Sequence, residues 1–310
     1  MTACHVFCPA FDRVLQVLAW RLATGLQPPE RILLIFLGRE YAACMNTAAP
    51  FTTIADLIRD LRTLGVPEGG VLMVHSSLSS LGCVRGGAPA VVRALLTVLG
   101  PRGTLVMPAF SPEVSDPAGW ADRSFADADL ERARAHVPVF DPDTTPTTMG
   151  LIPETFRRWP GTIRGPHPQV SVCALGPQAE EVVSPHAVEW GQGANSPFER
   201  LTSMDAGVLL LGVGFNRATL LHYAESRVPH RRTKSRHIPF GEGDARRWVD
   251  APCVGNDLNT HFPSVGAAYL AAGRARTGRV GAADAVLASA ADLVGFASDY
   301  LAGVLPRSAA

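Results

Sequence analysis

The sequence predicts an α/β fold built on a parallel pair of strands, and three observations carry that expectation. VLMVH (71–75) and TLVMPAF (104–110) are short, dominantly apolar runs with the length of buried strands. Between them, APAVVRALLTVLG (88–100) repeats its apolar residues at helical spacing. Strand, loop, helix and strand in that order favour two parallel strands joined by a right-handed crossover.

The first regular element is a helix. Thr52 and Thr53 offer a hydroxyl cap, Ile54, Leu57, Ile58, Leu61 and Leu64 share one face, and Gly65 closes it. The strand at 71–75 and the helix at 88–100 follow, with Pro89 near the helix's first turn, and then the strand at 104–110. Residues 111–150 are rich in Asp, Pro and Thr and poor in apolar runs, so they read as a long surface loop with a helix near 127–135. A loop of that length in a compact domain is usually functional or disordered. Next come a helix at 150–158, an alternating strand at 170–175, a helix at 177–183 and the GQGANSPFERL segment at 191–201. VLLLGVG (208–214) reads as a short buried strand and ATLLHYAES (218–226) as a helix, while the alanine-rich tail at 263–305 reads as helical. No internal repeat or low-complexity linker divides residues 51–310, which are expected to form one domain.

Residues 1–50 look different and are expected to be a non-catalytic N-terminal extension, in which Met45 offers an alternative start. Their longest apolar runs, VLQVLAW (14–20) and ILLIFL (32–37), fall short of the ~18–20 residues of a membrane span. A secretory leader is not expected either, because the basic start, apolar run and small-residue cleavage site do not occur in that order. The chain of 310 residues is long enough for a real core, with 47% hydrophobic and 18% charged side chains. Basic and acidic residues balance at 28 each, so nothing in the bulk charge suits nucleic acid, and a charged ligand needs a local cluster. Six cysteines (Cys4, Cys8, Cys44, Cys83, Cys173, Cys253) without a CxxC pair read as reduced thiols, and the expected compartment is the cytoplasm.

Three stretches carry chemistry. In HSSLSSLG (75–82), followed by Gly86-Gly87, a strand ends in small hydroxyls and glycines just before a helix N-terminus. Such a loop presents backbone N–H groups to an anion and lets a ligand approach the main chain, although serine and glycine also serve turn geometry alone. In RGPHPQVSVCALG (164–176), His167 sits between two prolines before a strand, either as a surface residue or as a ring held at the strand mouth. In LLLGVGFNRATLLHYAES (209–226), His222 and Glu225 lie three apart and share a helix face, a pair that also arises by chance. Several chemistries are excluded by their motifs. There is no GxxxxGK[ST], GVG (212–214) and GQG (191–193) lack the third glycine of a dinucleotide fingerprint, and no GxSxG elbow occurs. No HExxH occurs and the nine histidines are not spaced as a ligand set, so no metal is expected.

Taken together and in order, these blocks resemble the aminoglycoside 3-N-acetyltransferase family. The resemblance runs through MVHSSLSSLG with its GG (73–87), GTLVMPAFS (103–111), SDPAGW (115–120), FDPDTTPTTMGLIPE (140–154), RGPHPQVSVCALG, GQGANSPFERL and VLLLGVGFNRATLLHYAE (208–225). It covers roughly residues 51–300 and says nothing about residues 1–50. It implies a three-layer α/β/α sandwich distinct from the smaller GNAT acetyltransferase fold. It also implies acetyl transfer from acetyl-CoA to the 3-amino group of a 2-deoxystreptamine antibiotic, with a homodimer as the family-based expectation. Carried over by position, His75, Ser76, Ser77, Leu78, Ser80 and Gly82 would line the pantetheine and phosphate end of the CoA site, beside Thr147, Met149 and Ser171. His167 matches the family's catalytic histidine, and Glu225 matches the acidic residue near the substrate amine. An alternative acceptor amine, or CoA binding without catalysis, is also compatible with these residues.

The chemistry fits those residue types. An attacking amine is protonated in water, so a base must take its proton, and histidine titrates near neutral pH. Backbone N–H groups at the thioester carbonyl would stabilise the oxyanion. Direct transfer is expected, since Cys83 and Cys173 both sit in core-like contexts. A polycationic antibiotic also needs acids, for which Asp116, Asp122, Asp127, Asp129, Glu189 and Glu225 are candidates, with His222 beside them and Trp120 and Trp190 to pack on sugar rings. RVPHRRTKSRH (227–237) holds seven basic or histidine residues, which would repel a cation. It either meets the CoA phosphates or faces solvent, and solvent is the favoured reading.

Overall fold

In the computed structural model, residues 51–119, 126–241, 246–255, 257 and 259–306 are described. The expected N-terminal extension and the candidates Trp120 and Asp122 lie outside them. Chain order runs α1 (Ile54–Leu64), β1 (Val71–Ser76), α2 (Gly87–Leu99), β2 (Thr104–Pro108), α3 (Asp127–His136), α4 (Leu151–Arg157), β3 (Ile163–Arg164) and β4 (Val172–Leu175). It continues with α5 (Ala179–Val183), α6 (Pro197–Ser203), β5 (Gly207–Leu211), α7 (Leu220–Ser226), β6 (Thr233–Phe240) and β7 (Arg247–Val254). The last elements are α8 (Phe262–Ala271), β8 (Arg276–Val280), β9 (Ala283–Ser289) and α9 (Ala290–Val304).

Local chemistry sets the helix ends. At α1 the Thr53 hydroxyl accepts from Asp56 N at 3.2 Å while the Asp56 carboxylate accepts from Thr53 N at 3.0 Å, a capping box worth about 1 kcal/mol. Gly65 closes the helix at φ +92°, a conformation an L side chain resists.

Seven strands form one sheet in the order β3-β4-β2-β1-β5-β9-β8. β1 runs parallel to both β2 and β5, so the expected parallel pair is present, while β4 and β9 pair antiparallel to their inner neighbours. Alternation along the strands feeds two cores. Leu72, Val74, Leu105, Met107, Leu209 and Leu211 pack with α1, α2 and α4, while Met73, Val106, Val208 and Leu210 pack with α5 to α9. The result is an α/β/α sandwich with both sheet faces covered.

Three departures from the sequence reading stand out. The tail is not continuously helical, because residues 276–289 form a hairpin whose second strand pairs with β5 over Gly207–Leu211. Alanine favours helix only weakly, and ladder bonds plus burial of Ala285 and Leu287 outweigh it. Next, β6 and β7 make a separate two-stranded sheet in register from Thr233↔Val254 to Phe240↔Arg247. Its charges and its prolines at 239 and 252 disguise it in sequence, and a two-stranded ribbon tolerates proline at its open edges. Finally, Cys83 is disulfide-bonded rather than reduced, being half-buried in a surface turn, whereas Cys173 and Cys253 are buried free thiols.

Candidate active site

The sheet topology gathers the three sequence blocks at one edge. β1, β2 and β5 end there, and antiparallel β4 begins there, with Pro108 opposite Val172 and Ser76 opposite Leu211. Crevices at the carboxyl ends of parallel strands are where α/β proteins place their ligands.

The β1 block leaves the strand as a tight loop. Ser77 N donates to Leu211 O at 3.0 Å, and the chain turns through a 3-10 segment at Ser79–Leu81. Ser80 Oγ donates to Gly212 O at 2.9 Å and lies 2.9 Å from Ser77 Oγ, which also meets Ser79 Oγ at 3.1 Å. Ser76 Oγ is buried with no hydrogen-bond partner among the described residues. Leu78 packs on the core, and Gly82 turns at φ +73°. Gly86, also at positive φ, precedes α2 without any side-chain cap; Gly87 N donates to Val84 O at 3.0 Å and Pro89 has no N–H, so Ala88 N is the donor of the helix's first three residues that is left for an anion. His75 does not join this surface. It is buried within β1 with Nε2 3.3 Å from Thr219 Oγ1, and burial pushes its pKa down to about 4.

Beside this loop, Thr147 Oγ1 donates to Phe110 O at 2.9 Å and accepts from Met149 N at 3.3 Å, so both expected residues reach the same edge. Ser171 is turned inward. Its hydroxyl donates to Ala109 O and accepts from Arg164 Nε, both at 2.9 Å. Arg164 also bonds Ser111 Oγ and the carbonyls of Ala109 and Thr145, which clamps the ends of β2 and β4 together.

His167 is held in the loop between β3 and β4, almost fully buried. Its Nδ1 accepts from Gln169 N at 3.1 Å and from Val170 N at 3.2 Å. The neutral ring therefore carries its proton on Nε2, which donates to Val188 O at 3.2 Å. Burial, with help from the nearby His186 and Arg236, pushes its pKa down to about 3. His186 lies 4.6 Å away, ring centre to ring centre, and bonds Gly191 O at 2.7 Å. A Cβ built on Gly191 would land on His167 Nε2, so the first glycine of GQG is there to let the main chain touch the imidazole.

The hairpin β6–β7 closes over this loop. Trp190 N donates to Pro252 O at 2.7 Å, Asp116 N to His237 O at 3.1 Å, and Arg231 lies over the Trp190 ring at 4.5 Å. Glu225, fully buried on α7, meets Arg232 through two bonds of 2.8 and 3.0 Å, and Arg232 reaches Asp257 at 2.8 Å. His222, one turn earlier, packs edge-on against Phe262 at 4.8 Å with Nδ1 buried and unpartnered among the described residues, and burial pushes its pKa to about 3. Asp116 is taken by Arg134 through bonds of 3.0 and 2.6 Å. Among the expected substrate acids Asp127, Asp129 and Glu189 remain exposed, the first two in the first turn of α3 and Glu189 next in the chain to the carbonyl that holds His167.

Comparison with known proteins places this geometry. The family model for aminoglycoside 3-N-acetyltransferases matches residues 73–302. The chain belongs to that family. It is 36% identical over 250 residues to the SPbeta prophage-derived aminoglycoside N(3')-acetyltransferase-like protein YokD of Bacillus subtilis, covering 80% of this chain and 92% of the relative. The crystal structure of YokD superposes with a TM-score of 0.79 at 35% identity, covering 84% of this chain and 97% of the other. Aminoglycoside N(3)-acetyltransferase IX of Micromonospora chalcea is 34% identical over 285 residues, covering 86% and 100%. A structure of AAC-IIIb in a binary complex with CoASH superposes at TM-score 0.73 and 31% identity, covering 84% and 100%. This chain is thus an enzyme of the aminoglycoside N(3)-acetyltransferase class.

Several residues of this candidate site escaped the sequence reading. Gln169 joins three parts of it: its N–H fixes the His167 tautomer, its Nε2 donates to Val114 O at 2.7 Å, and its Oε1 accepts from Arg236 at 2.7 Å. Its place two residues after a Pro-flanked histidine was the available signal. Arg164, His186 and Arg236 carry no local signal, since their partners Ala109, His167 and Gln169 lie 55, 19 and 67 positions away. The basic stretch is another correction: Lys234 and Arg236 are half-buried on the side of His167 and His222, not solvated. Among the described residues no cluster of His, Cys, Asp and Glu is placed to hold a metal, and no helix is long and apolar enough to cross a membrane.

Proposed function

We propose that this enzyme transfers the acetyl group of acetyl-CoA directly to the 3-amino group of a 2-deoxystreptamine aminoglycoside, with His167 as general base, and so confers resistance. The carrying observation is the buried His167 imidazole, fixed by two backbone N–H donors at the sheet edge where the serine loop and the uncapped α2 terminus converge. The serine loop and α2 suit the phosphates and pantetheine of CoA, and the CoASH complex of AAC-IIIb supports CoA as the carrier. The same reading places the enzyme in the cytoplasm, as a homodimer, with Thr147 and Met149 beside the carrier and Glu189 toward the cationic acceptor.

In the reaction the amine nitrogen attacks the thioester carbon, the C–N bond forms, the C–S bond breaks, and CoA leaves as the thiol with the proton the amine loses. A second reading of His167 is favoured by its bonds. With Nδ1 occupied by two donors, the ring's one N–H is Nε2–H, which would have to leave Val188 O to hydrogen-bond the thioester oxyanion, an interaction worth about 3–4 kcal/mol for a well-placed donor. A base role asks the ring first to surrender that proton.

Thiol release with gentamicin or kanamycin tests the activity, and streptomycin, which lacks the 3-amino group, should give none. His167→Ala should lower kcat by about 10²–10⁴-fold. His167→Gln, which keeps an N–H donor, distinguishes the roles: activity well above that of the alanine variant identifies a donor, and equal loss identifies a base.

A further inference from the structure

The loop between α5 and α6 carries a second buried imidazole. His186 is 7% exposed, and its ring lies 4.6 Å from that of His167, centre to centre, at an interplanar angle of 47°. Phe198 meets it edge-on at 6.5 Å. Burial pushes the pKa down to about 4 for His186 and about 3 for His167, so at neutral pH each ring has one N–H and one lone pair.

The two N–H groups grip one turn. His167 Nε2 donates to Val188 O at 3.2 Å, and His186 Nε2 donates at 2.7 Å to Gly191 O, three residues further on. Between them Trp190 N donates to Pro252 O of β7 at 2.7 Å. Residues 188–191 therefore hang from three bonds, with Gly191 so close to His167 that an added Cβ would collide with Nε2. His186 Nδ1, in contrast, is buried with no hydrogen-bond partner among the described residues. A phenylalanine would fill the same space and bury no orphaned nitrogen, so packing alone does not account for an imidazole here. What phenylalanine lacks is the N–H that holds Gly191 O.

We propose that His186 is a positioning residue for acetyl transfer: through its bond to Gly191 O it holds the 188–191 turn against His167 and so fixes the direction of that ring's Nε2–H. The proposal rests on the reading of His167 as the reacting imidazole, whether base or oxyanion donor. Gln169 N and Val170 N hold only the Nδ1 side of His167. The Nε2 side depends on Val188 O, and hence on a turn that keeps its shape.

The test compares His186→Phe, which keeps an aromatic ring and removes the donor, with His186→Gln, whose amide N–H reaches nearly as far as Nε2. In thiol release from acetyl-CoA with gentamicin, His186→Phe should lower kcat by roughly 10- to 10²-fold and leave both KM values within about twofold of wild type. His186→Gln should recover most of that loss. His186→Phe should melt at or above the wild-type temperature, because the orphaned nitrogen is gone. With isotope-labelled histidine, nuclear magnetic resonance should show the His167 Nε2–H exchanging slowly with water in wild type and His186→Gln, and roughly tenfold faster in His186→Phe. A kcat for His186→Phe within about twofold of wild type overturns the proposal, as does equal loss in the two variants. A His186→Phe protein that melts well below wild type or fails to fold also overturns it, by assigning the ring to the core. If the wild type releases no thiol with any amine, the acetyl-transfer reading falls by itself. The exchange rates then judge the positioning role, and unchanged exchange in His186→Phe overturns it.

Discussion

The two flanks of His167 are built from different materials. On the β1 flank the contacts are main chain and small hydroxyls: Ser77 N on Leu211 O, Ser80 on Gly212 O, and Gly87 N on Val84 O at the start of α2, which has no side-chain cap. On the hairpin flank they are long charged side chains, with Arg232 set between Glu225 and Asp257 and Arg236 on Gln169. A backbone site changes little when one side chain is trimmed, because the donors belong to the chain itself. A side-chain site depends on each partner, since removing one leaves a buried charge exposed to low dielectric.

The sharpest break of that contrast is Arg232→Met. It leaves Glu225 and Asp257 buried and facing each other, and should cost about 2–4 kcal/mol in denaturant unfolding, less than for a wholly buried pair because about a quarter of the arginine is exposed. Gly191→Ala comes next. The added Cβ displaces the His167 ring, and a misplacement of this kind costs on the order of 10²-fold in kcat. The fold should survive, so circular dichroism near wild type with depressed kcat is the expected pair of results.

Acid should then weaken the molecule. His75 and His186 have pKa values near 4, and His167 and His222 near 3, all lowered first by burial. The unfolded chain binds these protons from about pH 6.5 downward while the folded state does not, so stability is full above that pH and falls below it. At pH 5 each histidine should remove roughly 1–2 kcal/mol, read as a falling melting temperature. The same shift keeps His167 neutral from pH 5 to 8, so the acid limb of kcat/KM should follow the acceptor's amine. The smallest effect belongs to the backbone flank: Ser80→Ala should cost about 1 kcal/mol of stability and raise the KM for acetyl-CoA only a few-fold.

Legibility in the sequence followed the same divide. The β1 loop could be read because strand, serines, glycines and helix are consecutive, and the hydroxyl cap of α1 was visible as Thr52-Thr53 before the apolar periods, to which the structure adds the reciprocal bond from Asp56. His167 was visible because two prolines fix its place before β4. Its tautomer was not, since Val188 lies 21 residues on and reaches the ring only when the GQG turn folds against it. Asp116 and Ser171 were named from their position, and the structure commits both to arginines instead.

By itself the sequence determined the apolar periods, the caps and glycine turns, and hence a parallel pair with hydroxyls and histidine at strand mouths, because those signals act within a few residues. Only the tertiary structure decided which charges cancel, which imidazole nitrogen keeps its proton, and that the basic stretch turns inward as β6. Those outcomes depend on burial and on partners brought together from distant parts of the chain, and electrostatic energies grow large only where water has been excluded.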